Sequence, residues 1–194
     1  TDFNDGRLNS GISRQASKDF AAALLNGIMR DLPAKYKNWN RRYLWDRNYS
    51  ETRLPEVPSA ILETMSHQNF PDMVLGQDPN FKFTLARSIY KTILRYVNGM
   101  HGRSCIVQPL PPINFSATII NGKASLRWNA QEDQLEPTAQ PTSYNVYTAS
   151  ASSDFDNGIN VKRNSYELSL TPGVVYSFKV TAVNRGGESF PTQV

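Results

Sequence analysis

The chain has 194 residues, 39% of them hydrophobic, and 21 basic against 17 acidic side chains leave a net charge of +4. That length suits one large domain or two small ones. No apolar run approaches the ~18 residues of a membrane span, and the single Cys105 excludes an internal disulfide. One cysteine fits a reducing compartment and an exported bacterial protein equally well. The sequence opens on Thr1 without a basic-plus-apolar leader, so any signal peptide is expected to lie outside it.

Thr1–Gly11 is polar and reads as a loose lead-in. Ser13 then opens a helical pattern. Phe20, Ala21, Leu24, Leu25, Ile28, Met29 and Leu32 recur at spacings of three and four, which puts them on one buried face. Ser13 is the expected N-cap, with an incomplete capping box because Ala16 stands where an acid would. Pro33 is expected to stop the helix. Gly27 costs the helix up to ~1 kcal/mol and marks a place of close packing.

Basic and aromatic residues then interleave. Lys35, Lys37, Arg41, Arg42 and Arg47 alternate with Tyr36, Trp39, Tyr43, Trp45 and Tyr49. Three readings stand for this stretch. It is ordinary structure with inward-packed aromatics, a groove facing an anionic polymer, or a nucleic-acid surface. No zinc-finger, helix-turn-helix or single-strand-binding pattern supports the last, so no nucleic acid is expected as partner.

Arg53-Leu-Pro-Glu-Val-Pro58 is a constrained, non-helical entry. Ala60–Thr64 reads as a short buried strand ending in a carboxylate, Glu63, with Ser66, His67 and Asp72 just beyond. Polar residues at the carboxyl end of a strand are where open α/β sheets build sites. Glu63 there suits a general base that activates water, or a structural acid paired with Arg53. His67 is a ligand, a base or a surface histidine, and His101 lies in the turn-like Gly99–Arg103. Asn69–Asp72 and Asp78–Asn80 read as turns. A second helix spans about Asn80–Val97, with Phe81, Phe83, Leu85, Ala86, Ile89, Tyr90, Ile93, Leu94 and Val97 mostly on one inward face and Lys82, Arg87, Lys91 and Arg95 outward, and Asn98-Gly99 is its expected stop. The chain holds two histidines and no His-x-x-x-His, Cys-x-x-Cys, Gly-x-Ser-x-Gly or phosphate-cradling loop, so no complete metal or nucleophile motif emerges.

Val57–Asp72 resembles the late strand of zinc-dependent N-acetylmuramoyl-L-alanine amidases. The helices Ser13–Leu32 and Phe81–Val97 are similar to that family's flanking helices. The resemblance implies a partial α/β domain in which Glu63 is the catalytic glutamate acting on a zinc-bound water. It also implies peptidoglycan or another bacterial glycan as partner, and a secreted, periplasmic or cell-surface location. The family's zinc ligands, two histidines and a glutamate, have no counterpart here, and Thr64–Gln68 departs from the family pattern. No cofactor is therefore expected in this segment. Zinc is expected only if a longer protein supplies the ligands.

Val107-Gln-Pro-Leu-Pro-Pro112 reads as a stiff linker. After it the hydrophobic period becomes two. Phe115–Ile120, Ala124–Trp128, Tyr144–Thr148, Ser165–Leu170 and Val175–Val183 are expected strands, with a tight turn at Asn121-Gly122. Trp128, Tyr147 and Tyr176 read as core. Trp128, Tyr144-x-x-Tyr147, Leu170-Thr-Pro-Gly173 with Tyr176, and Val180-x-Ala182-x-Asn184 carry a resemblance to fibronectin type III domains, which implies an all-β immunoglobulin-like sandwich with a short or truncated last strand. The expected domains are residues 1–106, a linker at 107–112 and a sandwich at 113–194.

Two functional readings follow. One is a cell-wall amidase segment, inactive alone. The alternative is a non-catalytic glycan-binding or scaffold protein with a degenerate amidase-like domain, or part of a polysaccharide lyase-type multidomain protein.

Overall fold

The structure is a computed structural model that describes residues 6–151 and 153–192. The chain divides into two compact units, Thr1–Ser104 and Cys105–Val194. Part of the polar lead-in, residues 1–5, lies outside the described residues.

Unit 1 is helical. Helix α1 spans Gln15–Lys35, α2 Ser50–Arg53, α3 Phe70–Leu75 and α4 Pro79–Met100. Ser13 acts at the start of α1, its Oγ accepting from Gln15 N at 3.2 Å. Pro33 does not stop α1. The helix runs two residues further, and Tyr36 N still donates to Leu32 O at 2.8 Å. Proline removes only its own donor, and Leu32 is fully buried, so packing holds the turn closed. Gly99 likewise falls inside α4, which ends at Met100. Asp78 caps α4 through Asn80 N at 2.9 Å. Asn69 caps α3, so the turn expected at Asn69–Asp72 opens a short helix.

α1 and α4 pack through an apolar cluster of Ile28, Leu32, Phe81 and Leu85. Burying each such side chain contributes about 1.5–3 kcal/mol. Beside it runs a polar seam. Gly27 lies against Thr92, and Ser88 Oγ donates to Gly27 O at 3.1 Å. Asp31 and Lys91, both buried, pair at 2.8 Å, and Arg30 adds a bond to Asp31 at 3.0 Å.

The strand expected at Ala60–Thr64 does not form, and with it falls the α/β reading of this region. Among the described residues, unit 1 contains no strand, only an isolated bridge between Arg7 and Ser13. A strand needs a neighbour for its backbone groups, and no other strand lies among the described residues of this unit. Residues 55–66 instead cross the unit without regular structure, held by Ser59 N donating to Ser17 Oγ at 3.3 Å and Ser66 N to Asp72 Oδ2 at 2.8 Å.

Unit 2 is a sandwich of two antiparallel sheets. Its strands are β1 Ile113–Ile120, β2 Lys123–Asn129, β3 Ser143–Ser150, β4 Ile159–Val161, β5 Ser165–Ser169, β6 Tyr176–Asn184 and β7 Gly187–Glu188. The sheet order is β1-β2-β5 in one and β4-β3-β6-β7 in the other. Ala124, Leu126 and Trp128 from one sheet meet Tyr144, Val146, Phe178, Val180 and Ala182 from the other. Alternation along β2 and β3 selects these residues. The β1–β2 turn has φ of 50° at Asn121 and 75° at Gly122, the two positive values a tight right-twisted hairpin requires. Tyr176 OH accepts from Thr171 N at 3.2 Å, a tyrosine corner ahead of β6.

The prolines at 109–112 are built into this unit. Val107 and Pro109 are fully buried, and Leu110 nearly so. Val107 N donates to Thr138 Oγ1 at 3.1 Å, and Asn184 Nδ2 donates to Val107 O at 2.9 Å. The edge strand β7 is two residues long, but Ser189 N and Thr192 N continue the pairing onto Ala182 O and Val180 O at 2.8 Å each.

Candidate functional site

Between α1 and α2 the chain forms an arm, residues 40–49, whose every residue is exposed. Both ends are anchored. At the start, Tyr36 meets Phe81 edge-on at 5.1 Å between ring centroids, and Trp39 lies 6.5 Å from the same ring. At the return, Arg53 Nη1 donates to Asn48 Oδ1 at 3.0 Å, and Arg14 Nη2 donates to Arg53 O at 3.3 Å. Ser59 Oγ donates to Thr52 O at 3.4 Å, and Ser10 Oγ bonds Glu56 O. A loop fixed at its base and solvated along its length is a common way to present functional side chains.

The arm presents apolar rings that a soluble surface ordinarily covers. Tyr43 is 72% exposed, Trp45 59% and Tyr49 54%. Tyr43 and Trp45 meet at 90° with centroids 5.6 Å apart, and the Arg47 guanidinium lies 4.4 Å from the Trp45 ring centroid. Contacts at spacing two put Tyr43, Trp45 and Arg47 on one side of the arm, as in an extended backbone. Residues 36–54 carry five basic side chains against two acidic ones. Among the described residues, Arg41, Arg42 and Arg47 have no carboxylate partner. The surface is therefore aromatic and cationic at once. That favours a ligand with faces to stack and acceptors or negative charge to pair. Sequence reasoning singled out these residues. It left open which rings pack inward, and the division falls between Trp39 and Tyr43.

Glu63 lies on the irregular crossing segment, exposed, with no hydrogen bond or ion pair among the described residues; it does not pair with Arg53. His67 and His101 are exposed as well. Nothing brings the three into one site. Among the described residues, no three His, Cys, Asp or Glu side chains gather at metal-binding distance.

In unit 2, Trp128 is core, and Tyr176 packs against the core from its edge. Tyr147 departs from expectation. It stands on the other face of its sheet, with its OH donating to Glu188 Oε1 and Lys179 Nζ 5.0 Å from its ring centroid. Gly158, at φ 76°, presses on that ring from the same face. Because Tyr147 is covered in this way, it offers no open platform to a ligand.

The sandwich, the tyrosine corner and the core Trp128 define an immunoglobulin-like module. Residues 110–194 match the family described as "Fibronectin type III domain", and this part of the chain is such a domain. No curated protein matches the chain. Solved structures with partial likeness include titin kinase and its flanking domains, 19% identical over 45% of this chain and 16% of that one, TM-score 0.38. The twitchin kinase region from C. elegans is 21% identical over 44% of this chain and 15% of that one, TM-score 0.39. A structure titled "FN3tt mut" is 25% identical over 43% of this chain and 89% of that one, TM-score 0.35. The chain thus spans about a sixth of the first two.

Proposed function

We propose that this chain is a non-catalytic glycan-binding scaffold, in which the arm of unit 1 contacts the glycan and the fibronectin type III domain serves as spacer or adhesion module. The observation that carries the reading is the anchored display of the exposed rings Tyr43, Trp45 and Tyr49 on one arm, with Arg47 over Trp45. Contiguous exposed rings mark interaction surfaces, and Trp, Tyr and Arg are the residues that most often anchor a bound partner. The bacterial surface and the peptidoglycan partner come with this reading, from the resemblance of Val57–Asp72. Co-sedimentation of the full chain with insoluble peptidoglycan tests it. The pair Tyr43→Ala with Trp45→Ala is expected to lower retention about tenfold, the equivalent of 1.4 kcal/mol. Undiminished retention by that variant would sink the proposal.

A second reading keeps the amidase likeness, because Glu63 is accessible and, among the described residues, unpaired. It requires metal ligands from outside this sequence. In a longer protein carrying them, Glu63→Ala abolishes release of peptide from peptidoglycan if the reading holds. Unchanged release removes Glu63 from the chemistry.

A further inference from the structure

The arm carries a feature that stacking alone does not need. The Arg47 guanidinium lies over the Trp45 ring at 4.4 Å, held there by a ring that is itself braced edge-on by Tyr43. A guanidinium stacked on an aromatic face keeps its in-plane N–H donors free, and their fork matches the two oxygens of a carboxylate. Among the described residues, no ion pair with a carboxylate is formed by Arg47, nor by Arg41 and Arg42 earlier on the same arm. Arg47 also occupies a face of Trp45 that a neutral sugar ring would use. We propose that the arm selects a carboxylate-bearing glycan, of the uronate class, with Arg47 binding the carboxylate bidentately and Tyr43 and Tyr49 packing on the sugar faces. This rests on the glycan-binding reading above and narrows its ligand.

A nucleic acid fits less well. Successive bases stack on parallel ring faces, whereas Tyr43 and Trp45 stand at 90° and Arg47 covers one side of Trp45. Affinity for a phosphodiester also grows with many phosphate contacts, and this arm offers few.

The test compares polygalacturonate with the same polymer after its carboxyls are reduced to alcohols, each titrated calorimetrically into the full chain. Native polymer is expected to bind at least tenfold more tightly, with the preference falling at higher salt. Arg47→Lys keeps the charge but loses the fork, and is expected to reduce the preference about fivefold. Tyr43→Ala is expected to weaken both polymers. Both variants lie on the exposed arm, and circular dichroism checks that they remain folded. Equal affinity for the two polymers overturns the carboxylate selection and leaves the glycan-binding reading standing. Binding of neither polymer overturns the uronate assignment, while the glycan-binding reading stands or falls separately on co-sedimentation with peptidoglycan. An undiminished preference in Arg47→Lys overturns the bidentate geometry. Tighter binding of a single-stranded thymidine oligonucleotide than of polygalacturonate replaces the ligand class altogether.

Discussion

Asp31 and Lys91 place opposite charges in the α1–α4 interface, where Asp31 is 1% and Lys91 2% exposed. Burial pushes the Asp31 carboxyl up, but the bonds from Lys91 and Arg30 overcome it and hold the group below the ordinary aspartate range. A carboxyl depressed in the folded state stabilises the fold at pH values above the unfolded pKa, about 3.9. That contribution drains as pH falls from there through the lower folded value. Unit 1 is thus expected to lose stability in this acid window, as measured by urea unfolding at stepped pH. Lys91→Met leaves the carboxylate with Arg30 alone and is expected to cost about 3 kcal/mol at neutral pH. Pairing it with Asp31→Leu recovers much of that loss. A Lys91→Met protein as stable as the parent would refute the account of this pair. The pair was not legible in the sequence. Lys91 sits at a position where helical periodicity predicts an outward lysine, and the Asp31 carboxylate on α1 draws it inward.

Among the elements, α1 and α4 were legible because their apolar spacing is strong, and their ends were not. Pro33 and Gly99 are local stop signals, and packing around Leu32 and the continuing hydrogen bonds override both. Gly27 did carry its meaning: a Cβ there would collide with the Thr92 side chain. Gly27→Ala is therefore expected to destabilise unit 1 by about 1–3 kcal/mol despite its better helix propensity, with Thr92→Ala recovering part of the loss. A gain in thermal stability from Gly27→Ala would contradict this packing. The arm was half legible. Its residue types suggested a polymer surface, but alternation of basic and aromatic residues does not say which rings anchor and which project. Ala60–Thr64 misled for a related reason. Its apolar run stopping at polar residues read as a strand, and strand formation depends on a neighbour that a single segment does not announce.

For the whole molecule, the change of hydrophobic period near residue 110 announced two modules, and the sandwich was legible nearly strand by strand because alternation, turns and the tyrosine corner agree. The prolines before it read as spacer because polyproline stiffness is a local property. The stretch is fixed through Val107, whose backbone bonds Asn184 and Thr138, far off in sequence. A fragment of residues 105–194 is expected to fold cooperatively, whereas one of residues 113–194 loses the burial of Val107 and Leu110, about 1.5–3 kcal/mol each. Equal urea midpoints for the two fragments would show that this stretch is a free linker after all. The central claim concerns the arm, and the three tryptophans report on it directly. Trp128 is buried and Trp39 half-buried, so collisional quenching by acrylamide falls mainly on Trp45. Adding saturating polygalacturonate to the full chain is predicted to protect Trp45 and lower the quenching constant at least twofold. A glycan that binds while quenching stays unchanged would place the contact elsewhere and contradict the account.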